Sequence, residues 1–218
     1  MEILSAKKIL AANDKLARDN RRRLDEQRVF MVNLIGSPGA GKTTLLERLL
    51  PEMGCAGSLR VVQGDMATRE DADRIEAVGV KALQINTENG CHLAAHMLPP
   101  AFEMLDLPGA DFLFVENVGN LICPAEFHLG EHLRAIVLSV PEGDDKVRKY
   151  PPTFATADAL VVTKTDLAAS NDFDFERVAS DLKRLSPRAK VFKVCAKRGE
   201  GIRELAEWLK ERRESAFA

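Results

Sequence analysis

The chain alternates between short, almost wholly apolar runs and longer stretches with apolar residues at helical spacing. The runs cover residues 29–35, 59–63, 80–85, 112–116, 135–140, 159–163 and 191–195. Strands exposed on one face alternate apolar and polar residues, so continuous hydrophobicity at strand length predicts strands covered on both faces. Helical patterns fall between them at about 42–52, 67–78, 92–105, 174–186 and 201–215. This alternation predicts an α/β fold: a mainly parallel sheet of about seven strands, wound by right-handed crossovers, with helices on both faces. Residues 2–27 read as one charged helix, in which Leu4, Ile9, Leu10, Leu16 and Leu24 make only a broken apolar stripe. The prolines of "LPPAFEMLDLPG" and "KYPPTF" mark loops or helix ends inside one domain. The expected plan is a helical extension over 1–28 followed by one domain over 29–218.

Composition narrows the function classes. The 218 residues suffice for one domain with its own core. A formal charge of −2 gives no push towards nucleic acid or a membrane surface. The densest charge run, "RDNRRRLDEQR", interleaves acids with its bases and reads as a solvated helix face. No apolar run reaches the length of a membrane span, and "MEILSAKKILAANDKLARDN" has no signal-peptide core. The expectation is a cytoplasmic protein. In that reducing compartment the scattered Cys55, Cys91, Cys123 and Cys195 are thiols or metal ligands rather than disulfides.

The strongest chemical signal is Gly36-Ser37-Pro38-Gly39-Ala40-Gly41-Lys42-Thr43, with Thr44 next. An apolar strand precedes it and the helical "KTTLLERLL" follows, the setting a phosphate-binding loop requires. Its glycines let backbone N–H groups ring the phosphates, and the helix N-terminus adds partial positive charge. Lys42 is expected on the β- and γ-phosphates and Thr43 on Mg²⁺, which makes the fold a three-layer P-loop NTPase. Asp65 and Thr68 follow the second strand at the carboxyl edge of the sheet. Asp65 either serves the Mg²⁺ and the attacking water or caps a helix starting near Ala67. Glu116 closes the strand "DFLFVEN" and is expected in the Mg²⁺ shell, with the Gly119 N–H sensing the γ-phosphate. "VVTKTDL" places Lys164 over a base and Asp166 against guanine N1–H and N2–H, with the Ala196 N–H of "VCAKRGEG" on guanine O6. This favours GTP over ATP. Thr163 stands where Asn opens the usual guanine motif, so one hydrogen bond bracing the loop is expected to be lost.

The histidines His92, His96, His128 and His132 share a 41-residue window with Cys91 and Cys123. Thiolate and imidazole together suit Zn²⁺ or Ni²⁺. "NGCHLAAHM" reads as a helix start, from which adjacent Cys91 and His92 diverge, so a symmetric dimer would complete the set better than one chain. The alternative is cysteines packed as small hydrophobes beside solvated histidines. No CxxC or HExxH decides between them.

The segments "GSPGAGKTTLLE", "GDMATREDADRI", "GCHLAAHM", "DFLFVENVGNLICPAEF", "SVPEGDDKVRKYP" and "TKTDL" together resemble the hydrogenase nickel-incorporation GTPases, the HypB family, over nearly all of residues 29–215. The resemblance implies a GTPase that dimerises with nucleotide and helps to insert nickel into [NiFe] hydrogenase. Its partners would be the hydrogenase large subunit and a nickel-binding accessory protein. It maps the family's metal site onto Cys91, His92 and Cys123 near the dimer interface, and places Lys146 or Lys149 near the partner's nucleotide. Urease-type nickel GTPases, an ATPase of the related metal-cluster or partitioning type, and a metal scaffold with a structural nucleotide site are the rival readings. Ala94 and His128 stand where many relatives carry Asp, and His128 thereby becomes a further candidate donor. No His or Cys precedes Cys55, which argues against N-terminal nickel storage.

Overall fold

The computed structural model describes residues 6–65, 70–88 and 90–218. Strands β1 (Phe30–Ile35), β2 (Leu59–Asp65), β3 (Lys81–Asn86), β4 (Phe112–Glu116), β5 (Leu133–Ser139), β6 (Ala159–Thr163) and β7 (Lys190–Lys193) form one sheet in the order β3-β2-β4-β1-β5-β6-β7. Every pairing in it is parallel. From β1 the chain fills one side with β2 to β4, then crosses to the other for β5 to β7. The order therefore reverses at β1, and a crevice opens beyond its carboxyl end.

Helices α1 (Ala6–Glu26), α2 (Lys42–Met53), α3 (Glu70–Ala77), α4 (Leu98–Met104), α5 (Cys123–Glu126), α6 (Lys146–Lys149), α7 (Pro151–Ala155), α8 (Phe175–Leu185) and α9 (Ile202–Ala216) cover both faces. Alternate residues of each strand point to opposite faces. Val32, Leu34, Phe114 and Val161 meet Leu45, Leu49, Leu205 and Leu209 of α2 and α9. Met31, Leu113 and Val115 meet Leu24, Leu98 and Phe102 of α1 and α4. Ile136, Leu138 and Leu160 meet Phe154, Val178 and Leu182 of α7 and α8. All six residues of β1 and all seven of β5 are buried, as strands covered on both faces require.

Two expectations change. The helix expected over 92–105 begins late: Ala95–Met97 is a 3-10 turn and α4 starts at Leu98. Asn117 Oδ1 accepts from the Leu93 N–H at 3.0 Å and Asn13 Oδ1 from the Ala95 N–H at 2.9 Å. These side chains satisfy donors that a helix start would leave unpaired, and Ala94 stays extended. Pro99 and Pro100 then fall in the first turn of α4, where no N–H is needed. The apolar stripe of α1 is not its main attachment either. Ile9 and Leu16 are largely exposed, while Asn13 and Asn20 are buried. The Asn20 amide donates to Ala95 O at 2.8 Å and Leu129 O at 3.0 Å, and Asn13 donates to His128 O at 2.8 Å.

Candidate nucleotide pocket and metal centre

The phosphate loop leaves β1 through Gly36. A Cβ there would lie 2.5 Å from the carbonyl oxygen of Val137 on β5, so only glycine fits. Gly41 turns into α2 with φ 89°, a left-handed conformation that glycine adopts without strain. The cavity above the loop measures about 460 Å³ and is lined by Pro38, Gly39, Gly41 to Thr44, Asp65, Glu116, Gly119 and Lys164, all expected from the sequence. Ser37 and Ala40 lie in the same loop. Lys42 donates to Gly36 O at 3.0 Å and Ser37 O at 3.2 Å. Burial pushes its ammonium below the ordinary lysine value, against the pull of Glu116.

Glu116 accepts from Thr43 Oγ1 at 2.8 Å and Gln63 Nε2 at 2.9 Å. Burial pushes its carboxyl above the usual range, and Gln63, Lys42 and Thr43 only partly offset this. An anion beside Lys42 and a cation beside Glu116 would restore both charged forms. The oxygen set of Thr43, Asp65 and Glu116 suits Mg²⁺, a hard cation.

The pocket also holds residues that the sequence reading did not single out. Asp71 and Arg74 line it from α3, with Gln63 and Gln84 from the sheet. Arg74 donates to Glu47 at 2.9 and 2.6 Å, to Asp71 at 2.8 Å and to Thr44 Oγ1 at 3.0 Å. Their signal was available: Asp71 and Arg74 sit three apart on one helix face directly after Asp65. Thr68 and the expected cap near Ala67 lie outside the described residues.

An adjoining cavity of about 370 Å³ is lined by Thr163, Lys164, Asp166, Leu167, Ala196 and Lys197, with Gly41 and Thr44 from the loop side. Lys164 takes a left-handed conformation, φ 56°, and donates to Gly39 O at 2.7 Å. Cys195 Sγ donates to Asp166 Oδ1 at 3.3 Å. The bracing bond expected to be lost with Asn is present: Thr163 Oγ1 donates to Ala40 O at 2.6 Å. A hydroxyl suffices because β6 already ends against the phosphate loop.

Cys91, His92 and Cys123 converge, with donor atoms all within 4.8 Å of one another. The expected divergence of Cys91 and His92 does not occur, because the segment is not helical. Cys91 Sγ lies 3.5 Å from His92 Nδ1, close to the roughly 3.6 Å that 2.3 Å and 2.05 Å bonds to one tetrahedral ion require. The His92 ring lies on Phe127, centroids 4.0 Å apart. Burial lowers the His92 pKa, which favours the neutral, ligating imidazole. The adjacent Cys123 thiol, then burial, raises that of Cys91.

The other histidines are not among these donors, although His96 lies near enough to His92 to lower its pKa further. His96 is exposed. His128 Nδ1 lies 3.1 Å from the Arg134 guanidinium. The His132 side chain is buried; its Nδ1 accepts from the Met31 N–H at 3.0 Å and its Nε2 lies 2.8 Å from Asp25 Oδ1. Burial and the nearby Arg21 push its pKa down to about 4.

A sequence model of the CobW/HypB/UreG nucleotide-binding domain matches residues 30–193. The hydrogenase maturation factor HypB of Azotobacter chroococcum is 47% identical over 205 residues, which cover 94% of this chain and 67% of that one. The chain belongs to the HypB family. A HypB from Helicobacter pylori, solved in complex with nickel, superposes with TM-score 0.90 at 38% identity, covering 94% of this chain and 97% of that one. HypB from Archaeoglobus fulgidus superposes with TM-score 0.86 at 39% identity, over 93% and 99%. The CobW/HypB/UreG domain match spans β1 to β7; α1 and α9 flank it.

Proposed function

We propose that this chain is a GTPase and metallochaperone that binds Ni²⁺ or Zn²⁺ and assists nickel insertion into [NiFe] hydrogenase. Membership of a hydrogenase maturation family supports the setting, and the nickel complex of the Helicobacter pylori relative supports the cargo. One observation carries the mechanism: Glu116 in the phosphate pocket and Cys123 in the metal cluster are seven residues apart on one segment. Any displacement at the γ-phosphate reaches a metal ligand along that segment.

In this reading the loop 36–43 and Lys42 hold the phosphates, and Asp166, Ala196 and Lys164 select guanine. Thr43, Glu116 and Asp65 would hold Mg²⁺, which neutralises phosphate charge during hydrolysis. Among the described residues Arg74 is the guanidinium lining the pocket, and Glu47, Asp71 and Thr44 already occupy it. With no arginine finger among the described residues, a factor of about 10³–10⁵ is missing and intrinsic turnover is slow. The chain works as a cytoplasmic homodimer whose assembly follows nucleotide and metal, receiving nickel from an accessory protein and serving the hydrogenase large subunit. No helix among the described residues is long and apolar enough to cross a membrane.

The test is titration with Ni²⁺ and Zn²⁺ in GDP and in a non-hydrolysable GTP analogue, with mass followed by light scattering. Metal affinity and mass are expected to change together with the nucleotide. Indifference of both to nucleotide would reduce the cluster to a static site and the chain to a scaffold.

A further inference from the structure

Asn120 touches the phosphate loop and both metal-bearing segments. Its backbone pairs with Gly36, the first residue of the phosphate loop, in an isolated antiparallel bridge. Its amide Nδ2 donates to the carbonyl of Cys91 at 3.3 Å. Its Oδ1 accepts from the Ile122 N–H at 2.8 Å, one residue before Cys123 at the start of α5. The ligands Cys91 and Cys123 come from parts of the chain more than thirty residues apart, and this side chain bridges them.

The neighbours of Asn120 leave little slack. A Cβ on Gly119 would lie 2.9 Å from Pro38 Cγ, so the preceding residue is packed directly on the phosphate loop. Asn117 is buried; it accepts from both the Leu93 and Val118 N–H groups at 3.0 Å and donates to Asn33 Oδ1 on β1 at 3.2 Å. The stretch 117–120 is thus tied to β1 and the phosphate loop below and to the Cys91 segment beside it.

We propose that Asn120 is the positioning residue that transmits the state of the phosphate loop to the metal ligands. A shift of Gly36 or Pro38 moves the Asn120 backbone, and the two arms of its amide carry that shift to Cys91 and to Ile122–Cys123. The proposal rests on the nucleotide-linked metal switch above and names the side chain through which it works.

The experiment is Ni²⁺ titration of the full chain, wild type and the variants Asn120→Ala and Asn120→Asp, in GDP and in a non-hydrolysable GTP analogue. Thiolate-to-nickel charge-transfer absorption reads the metal site, and nucleotide titration of the same samples reads the phosphate loop. Wild-type metal affinity is expected to differ at least about fivefold between the two nucleotide states, the usual lower range for coupled sites. Asn120→Ala removes both arms and brings that ratio towards one. Asn120→Asp keeps the acceptor for Ile122 but loses the donor to Cys91, and its ratio falls between. A wild-type ratio of one overturns the switch and this role together. A wild-type ratio that both variants keep overturns the role of Asn120 alone.

Discussion

His132 has the sequence signature of a metal donor and the surroundings of a structural strut, and pH separates the two. Its ring packs between Phe30 and Phe217, with centroids 4.8 and 5.4 Å away. It accepts from Met31 at the start of β1 and meets Asp25 at the end of α1. Burial and then Arg21 depress its pKa from 6.5 to about 4, although Asp25 pulls the other way. Between these values the unfolded chain binds a proton that the folded chain refuses, so stability is intact above pH 6.5 and falls on acidification. At about 1.4 kcal/mol per unit the full effect is about 3 kcal/mol, of which about 2 kcal/mol is lost by pH 5. His132→Asn cannot titrate, and its Oδ1 can still accept from Met31. Loss of the ring makes the variant less stable at pH 7.5, but that offset does not depend on pH. Urea unfolding at pH 7.5, 6.5, 5.5 and 5.0 should therefore show the wild-type advantage shrinking by about 2 kcal/mol between the extremes. Parallel curves, or an advantage that grows on acidification, would refute the assignment. Ni²⁺ affinity at pH 7.5 should be the same in both proteins, and a tenfold loss would restore His132 as a ligand.

Three further outcomes follow from the pocket and the cluster. Thr163→Val leaves the Ala40 carbonyl without its 2.6 Å donor; a loss of about 1–3 kcal/mol should weaken GTP about 5- to 150-fold in calorimetry, whereas Thr163→Ser should restore binding. Asp166→Asn should exchange preference from GTP to XTP in competition binding, and unchanged GTP selectivity would remove guanine from the cavity beside Ala196. Cys123→Ala should weaken Ni²⁺ by at least about tenfold and abolish thiolate charge transfer while leaving GDP affinity within about twofold.

The sheet was legible in the sequence because strands buried on both faces need apolar residues at every position. The same rule placed the start of β5 at residue 135, two residues late. Arg134 lies inside that strand, buried and paired with Glu131 at 2.5 Å, and a charge with a buried partner is invisible to an apolar pattern. The phosphate loop was legible for another reason: Gly39 and Gly41 answer local backbone demands, with φ 74° and 89°, and local demands are written in consecutive letters. The Cys91 segment was not. Its apolar spacing is helical, but its backbone donors are taken by Asn13 and Asn117, which lie far away in sequence. The bond from Thr163 to Ala40 spans 123 residues, and no reading of "TKTDL" alone reveals it.

The geometry of the metal cluster bears on how a nucleotide could control it. Around one tetrahedral ion, two thiolates sit about 3.8 Å apart and a thiolate and an imidazole about 3.6 Å. Cys91 and His92 are already at 3.5 Å, held on one loop. The full set of donors spreads to at most 4.8 Å, so Cys123 has at most about 1 Å to close. Metal–ligand bonds tolerate about 0.2 Å, so a displacement of that size separates a two-ligand site from a three-ligand site. Cys123 begins α5, directly after the stretch tied to Gly36, Pro38 and Glu116. In the proposed switch a nucleotide would therefore not need to rebuild the metal site. In that proposal one ligand moves, on the segment that borders the phosphate loop, through at most about 1 Å.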